Sequence, residues 1–376
     1  MKSYLAGIVL LALPCVLPSL AQEKQNFTFN PATPEGQILQ NLGQETDDAR
    51  KVTIGQEFLT KYPKHEAAGW VAAQVESGLL GQKQYDKVLE TADMAWANSP
   101  DMDGAYFALQ AAVAKNDVEQ TKKWSARTYE AAHKATAGAK APANDDDKHQ
   151  LEYAKEVGEY ADYGLYVVAL KAQPKEQIDL IDTLIKQDPK SQYLSEAANS
   201  YFAALTKAGE SGKICTAADR MAVEKNAEAM LQAADCAWRG GKAAGVLSYA
   251  GKAAEAVNTR PKREGVSDAD WANEKATLSG MAQFYTGIGN AMEMRWGPAN
   301  RSLKAALPSL KSNQAYYGVA LFDLGLANYS LGKAVGDNGQ KREGLKYFQE
   351  SAGIAGPMQE QASRNAKLVL AELGGK

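Results

Sequence analysis

The residues able to do chemistry are few and far apart. Three histidines, His65, His133 and His149, lie in separate segments, with no i,i+4 pair of the kind that puts two imidazoles on one helix face. His149 follows Asp145-Asp146-Asp147, a run suited to the N-terminal turn of a helix, where the backbone N–H groups favour negative charge. No ligand spacing of a known zinc type surrounds any of the three. Gly332-Lys333 has no upstream glycine at the distance a phosphate loop needs. Gly287-Ile288-Gly289 falls inside a helical pattern with no strand before it, which excludes a dinucleotide turn. No Gly-x-Ser-x-Gly elbow occurs, and Asp101-Met102-Asp103-Gly104 lacks the remaining ligands of a calcium loop. Carboxylates are abundant but scattered. The expectation is a binding protein with no catalytic residue, no cofactor and no metal.

The cysteines speak to compartment. Lys2 and the apolar run from Tyr4 to Leu17, ending in Ser19-Leu20-Ala21, read as a secretory signal over residues 1–21, cleaved after Ala21. Leu13-Pro14 before Cys15 fits a lipid-attachment box poorly. Cleavage leaves Cys215 and Cys236, which allow either one disulfide or two thiols packed as small apolar groups. No later run is long and apolar enough to span a bilayer, so no transmembrane segment is expected in the mature chain. With 45 acidic against 42 basic residues and no basic stripe, a nucleic-acid partner is not expected.

The elements that must position any site are helices. After residue 34 the chain is rich in Ala, Leu, Lys, Glu and Gln, with apolar positions recurring at three and four and breaks at Pro and Gly. No run of alternating β-branched residues argues for a strand. The organisation predicted is an extended lead-in over 22–33, N-terminal helical repeats over 34–136 and a linker over 137–147. C-terminal helical repeats follow over 148–358, then a capping helix over 359–376. The linker, Ala-Gly-Ala-Lys-Ala-Pro-Ala-Asn-Asp-Asp-Asp, has nothing with which to bury a core. Further loops are expected at 209–214 and 258–268, and from Gly332 to Gln340.

Self-similarity is the strongest signal. Tyr85 to Pro100 starts on an aromatic, carries Ala92 and Ala95 where a neighbouring helix can approach, and stops at a proline that cannot continue the helix. The cadence returns at Glu176 to Pro189. Leu324-Gly325, Asn328-Tyr329 and Gly332, followed by Gly344, Phe348, Ser351 and Pro357, give the fullest unit. Met230, Ala233-Ala234, Ala237, Gly241, Ala250 and Ala253 give another, and Ala197 to Phe202 a third. This pattern resembles the tetratricopeptide repeat family, in which a helix A and a helix B form each repeat. The resemblance implies an all-α, right-handed superhelical solenoid of antiparallel helix hairpins, about seven hairpins from fourteen to sixteen helices. The phase slips once: 190–208 and 220–239 both look like helix A, and only the stretch from Cys215 to Asp219 is left for the helix B between them.

The resemblance also implies a partner groove lined by the A helices. Carried onto matching positions, its residues are Asn199, Phe202, Asp235, Trp238, Arg239, Tyr329 and Ser330, a mixture of amide, aromatic and charged groups suited to an extended peptide. The alternative for the aromatics is simple packing between hairpins. The function expected is an exported, periplasmic or secreted scaffold for protein–protein or peptide binding. A glycan- or nutrient-binding protein of the outer membrane is the second expectation, with Trp238 and Trp296 as its binding residues.

Overall fold

The computed structural model describes residues 27–137, 142, 144–222, 226–262 and 265–374. The signal expected at 1–21, Cys15, and residues 22–26 of the lead-in lie outside them, as do 138–141 and 143 of the linker. Among the described residues the chain is all-helical, with seventeen α-helices and no strand. No helix among them is long and apolar enough to cross a membrane. The chain forms two compact units that part between Val168 and Ala169.

The first unit holds α1 (Pro34–Gln44), α2 (Asp48–Lys61), α3 (Ala68–Gly81), α4 (Tyr85–Trp96), α5 (Met102–Lys115), α6 (Val118–Thr136) and α7 (Asp145–Ala169). From α1 to α6 each helix packs on the next, and α3 also touches α5. Small residues permit this: Ala72, Ala73, Ala92, Ala105, Ala108 and Ala112 are all buried. Phe27 of the lead-in, irregular from 27 to 33, turns back to set its ring 5.8 Å from that of Trp70. Asp145, Asp146 and Asp147 form the first turn of α7, so the helix starts within the stretch expected to be linker. Ala154 and Val157 of α7 are buried with Met102 and Ala132. The Tyr153 hydroxyl donates to Asp103 at 2.7 Å, and Ser125 donates to the Ala161 carbonyl at 2.8 Å. The break in composition at 137–147 therefore differs from the break in packing: α7 belongs with the N-terminal helices and does not open the C-terminal repeats.

The second unit holds α8 (Pro174–Gln187), α9 (Tyr193–Lys207), α10 (Ile214–Met221), α11 (Ala227–Arg239), α12 (Ala243–Thr259) and α13 (Asp268–Met292). It continues through α14 (Trp296–Leu310), α15 (Gln314–Val335), α16 (Asn338–Ala352) and α17 (Gln359–Gly374). Successive helices pack on one another, and contacts also skip one helix, joining α9 to α11, α11 to α13, α13 to α15 and α15 to α17. Alternate helices thus form one layer, with α10, α12, α14 and α16 on the other. Close approach between the layers depends on glycine at two facing positions. A Cβ on Gly325 of α15 would lie 2.5 Å from the Phe348 ring, and one on Gly344 of α16 would lie 2.9 Å from the Gly325 carbonyl oxygen. Asn300 of α14 donates to Asn328 of α15 at 3.2 Å, and Asn328 donates to the Leu324 carbonyl at 2.8 Å.

Two details differ from, or complete, the sequence expectation. The interruption expected from Gly332 to Gln340 does not occur. The helix runs on to Val335, Gly336 reverses the chain in the left-handed region at φ 71°, and Asp337 caps α16 by accepting from the Gly339 and Gln340 N–H groups. The phase slip is filled by a stunted helix. α10 has eight residues, buries only Ala217, Ala218 and Met221, and packs on both α9 and α11.

Candidate functional site

A disulfide joins Cys215 of α10 to Cys236 of α11. Of the two alternatives the cysteines allow, the structure takes the bond, and it ties the stunted helix to the next helix of the opposite layer. α11 is further fixed at its start by Asn226, which accepts from the Ala229 N–H, and at its end by Gly241 at φ 68°. Beyond α12, Arg260 pairs with Glu228 of α11 at 2.7 Å and with Glu274 of α13 at 3.5 Å, bridging two helices of one layer.

On that layer, α11, α13 and α15 bring six side chains together. Asp235 of α11 is 2 % exposed. One of its oxygens accepts from the Tyr285 hydroxyl of α13 at 3.1 Å and the Tyr316 hydroxyl of α15 at 3.4 Å. The two hydroxyls are 3.4 Å apart. Its other oxygen meets the Arg239 guanidinium at 2.7 Å. Trp238 packs edge-on against Phe284 (5.9 Å, 83°) and against Tyr285 (6.4 Å, 65°). Burial first, then the charge of Asp235, holds the Tyr285 phenol far above the usual tyrosine range, so it stays a neutral donor.

The Asp235 carboxylate meets two hydroxyls and a guanidinium. The Arg239 side chain remains 72 % exposed while one guanidinium nitrogen is anchored by a buried carboxylate. A guanidinium carries five N–H donors in a fixed fork, so N–H groups remain for carbonyl or carboxylate oxygens of a guest. Further along α15, Asp323 and Ser330 follow Tyr316 at intervals of seven, which places all three on one helix face. Asp323 is half-buried, and burial pushes its carboxyl up to about 7.

Of the residues assigned to a groove from sequence, Asp235, Trp238 and Arg239 meet at this cluster. Asn199 and Phe202 sit on α9, the neighbouring helix of the same layer, with Asn199 exposed and Phe202 7 % exposed in the core. Tyr329 is engaged elsewhere: its hydroxyl donates to Glu372 of α17 at 2.7 Å. Ser330 is half-buried on the face of Tyr316 and Asp323. Tyr285, Tyr316 and Asp323 were not found from sequence. The spacing of seven back from Ser330 marks Asp323 and Tyr316, but nothing local marks Tyr285, whose partner lies 50 residues away. Comparison with protein-family models and with curated proteins finds no match to this chain.

Proposed function

We propose that the chain is an exported helical-repeat scaffold, of tetratricopeptide type, that binds an extended peptide segment of a partner on the α11–α13–α15 layer. The carrying observation is Arg239, an exposed guanidinium held in place by Asp235, itself held by two tyrosines, beside the half-buried Trp238. Such a pre-ordered donor loses little freedom on binding a carbonyl or carboxylate group. Stacked hairpins of this kind curve into a superhelical solenoid, and the layer that carries Arg239 is the concave one in that family. Secretion is supported by the basic-then-apolar start of the chain and by the disulfide, which persists in oxidising compartments.

A glycan is the second reading. It rests on Trp238 and Trp296, which stand on α11 and α14 in opposite layers, so the peptide reading ranks first. The separating experiment is affinity capture of the secreted form from its own envelope extract, with wild type beside Arg239→Glu and Trp238→Ala. A protein retained by wild type and lost with Arg239→Glu supports the proposal. A polysaccharide lost with Trp238→Ala, or no partner above background, counts against it.

A further inference from the structure

Glu76, in the middle of α3, is 0 % exposed, and neither of its carboxyl oxygens has a hydrogen-bond partner. A buried carboxyl left this way costs on the order of 1–3 kcal/mol, which a polar partner entering beside it would offset. Glu76 lines a half-open pocket between α3, α4, α5 and α6, about 190 Å³ with its mouth included, whose inner part has room for about one water-sized group. Ala72, Ala92 and Gly104 leave that space, Trp96 and Trp124 wall it, and Ser99 and Asp101 supply its other oxygen atoms.

The pocket's charge selects the guest. Among the described residues no lysine, arginine or histidine lines it. Lys123 and Arg127 lie over the indole rings at 4.5–5.1 Å and are paired with Asp93 at 2.5 and 3.2 Å. Burial, then Asp101 and Asp103, pushes the Glu76 carboxyl well above its usual range, so ionising it costs free energy that a positive group beside it offsets, the proton leaving to solvent. An anion is repelled, and an apolar guest leaves both oxygens unpaired. Among the described residues no group of His, Cys, Asp and Glu is arranged to hold a metal ion.

We infer that this pocket binds a single primary ammonium group, with Glu76 as its carboxylate partner and the Ser99 hydroxyl as a further acceptor. An ammonium has three N–H donors and a slender stem, matching the acceptors and the width of the space. The group comes from a small free amine or from a lysine of a bound protein.

The test uses the full secreted chain and follows Tm at constant ionic strength. Ethylammonium chloride replaces sodium chloride, with tetramethylammonium chloride as a control too wide for the pocket and lacking N–H donors. At ten times its dissociation constant, ethylammonium is expected to raise Tm by about 3–5 °C over sodium chloride. Glu76→Gln, of equal size, removes the effect. Ala95→Leu, which narrows the mouth without touching Glu76, removes it too and guards against a folding defect in the first variant. Nα-acetyl-lysine methylamide separates the sources. A response equal to that of ethylammonium assigns the site to a lysine-bearing partner, and a response to ethylammonium alone assigns it to a free amine; both support the site. The inference is overturned if ethylammonium acts no differently from sodium chloride, if tetramethylammonium matches it, or if Glu76→Gln responds as wild type does.

Discussion

Replacing both disulfide cysteines, Cys215→Ala with Cys236→Ala, perturbs the weakest joint of the second unit. α10 has eight residues and three buried side chains, Ala217, Ala218 and Met221. An isolated helix of that length is not stable, so its place depends on what it is tied to. The bond closes a loop between residues 21 apart. The loop-closure term for that length is about 11 cal/mol/K, or about 3 kcal/mol at 25 °C. Losing it from local opening of α10 corresponds to about a hundredfold rise in the open population. Native-state hydrogen exchange on the oxidised wild type and the double variant reads this directly. Amides of α10 are expected to exchange about a hundredfold faster in the variant, while those of α15 and α16, which pack on each other and not on α10, keep their protection. Unchanged exchange in α10, or equal acceleration throughout the unit, would refute the reasoning that the bond acts on the stunted helix.

Three further outcomes follow from the packing and the buried groups. Glu76 and Asp323 both have folded-state carboxyls raised above their unfolded values. Their contribution is therefore full at pH below the ordinary carboxylate range and is lost as pH rises, for Asp323 between about 4 and 7. Denaturation curves of Glu76→Gln and Asp323→Asn should accordingly show their gain over wild type at pH 8 and little difference at pH 4. Gly325→Ala gains about 1 kcal/mol in helix propensity but drives a methyl into the Phe348 ring, so a net loss of about 1–2 kcal/mol is expected in urea denaturation. Tyr285→Phe removes a donor from the buried Asp235 carboxylate and should cost about 1.5–3 kcal/mol by the same measurement, with the helical circular dichroism signal retained.

The helical class and most boundaries were legible because the signals are local. Asp47, Asp101, Asp117 and Asp337 cap the helices that follow them, and Gly336 and Gly241 end the ones before. The insertion expected after Gly332 shows where local reading fails. Gly332 is buried within α15, against α16, and packing overrides its poor helix propensity, so the turn comes four residues later at Gly336. The division at Val168 was hidden for a related reason. A composition break marks where the chain cannot pack, but α7 joins the first unit through contacts of its far residues with Asp103, Ser125 and Met102. The family resemblance singled out Asp235, Trp238 and Arg239 by their matching helix positions, and the structure places the three on one helix, with Arg239 on the Asp235 carboxylate. Tyr285 and Glu76 escaped because what sets them apart is a partner 50 residues away in one case and the lack of any partner in the other.

The central claim is that the layer of α11, α13 and α15 receives a peptide, and site-specific photo-crosslinking measures it most directly. A photoreactive residue is placed at Arg239 or Asn199, both exposed on that layer, and at Lys252, exposed on α12 in the opposite layer. In living cells the account predicts a crosslinked partner protein from positions 199 and 239, competed by the partner's own peptide, and none from position 252. Crosslinks from position 252 alone, or with equal yield from all three, would contradict it.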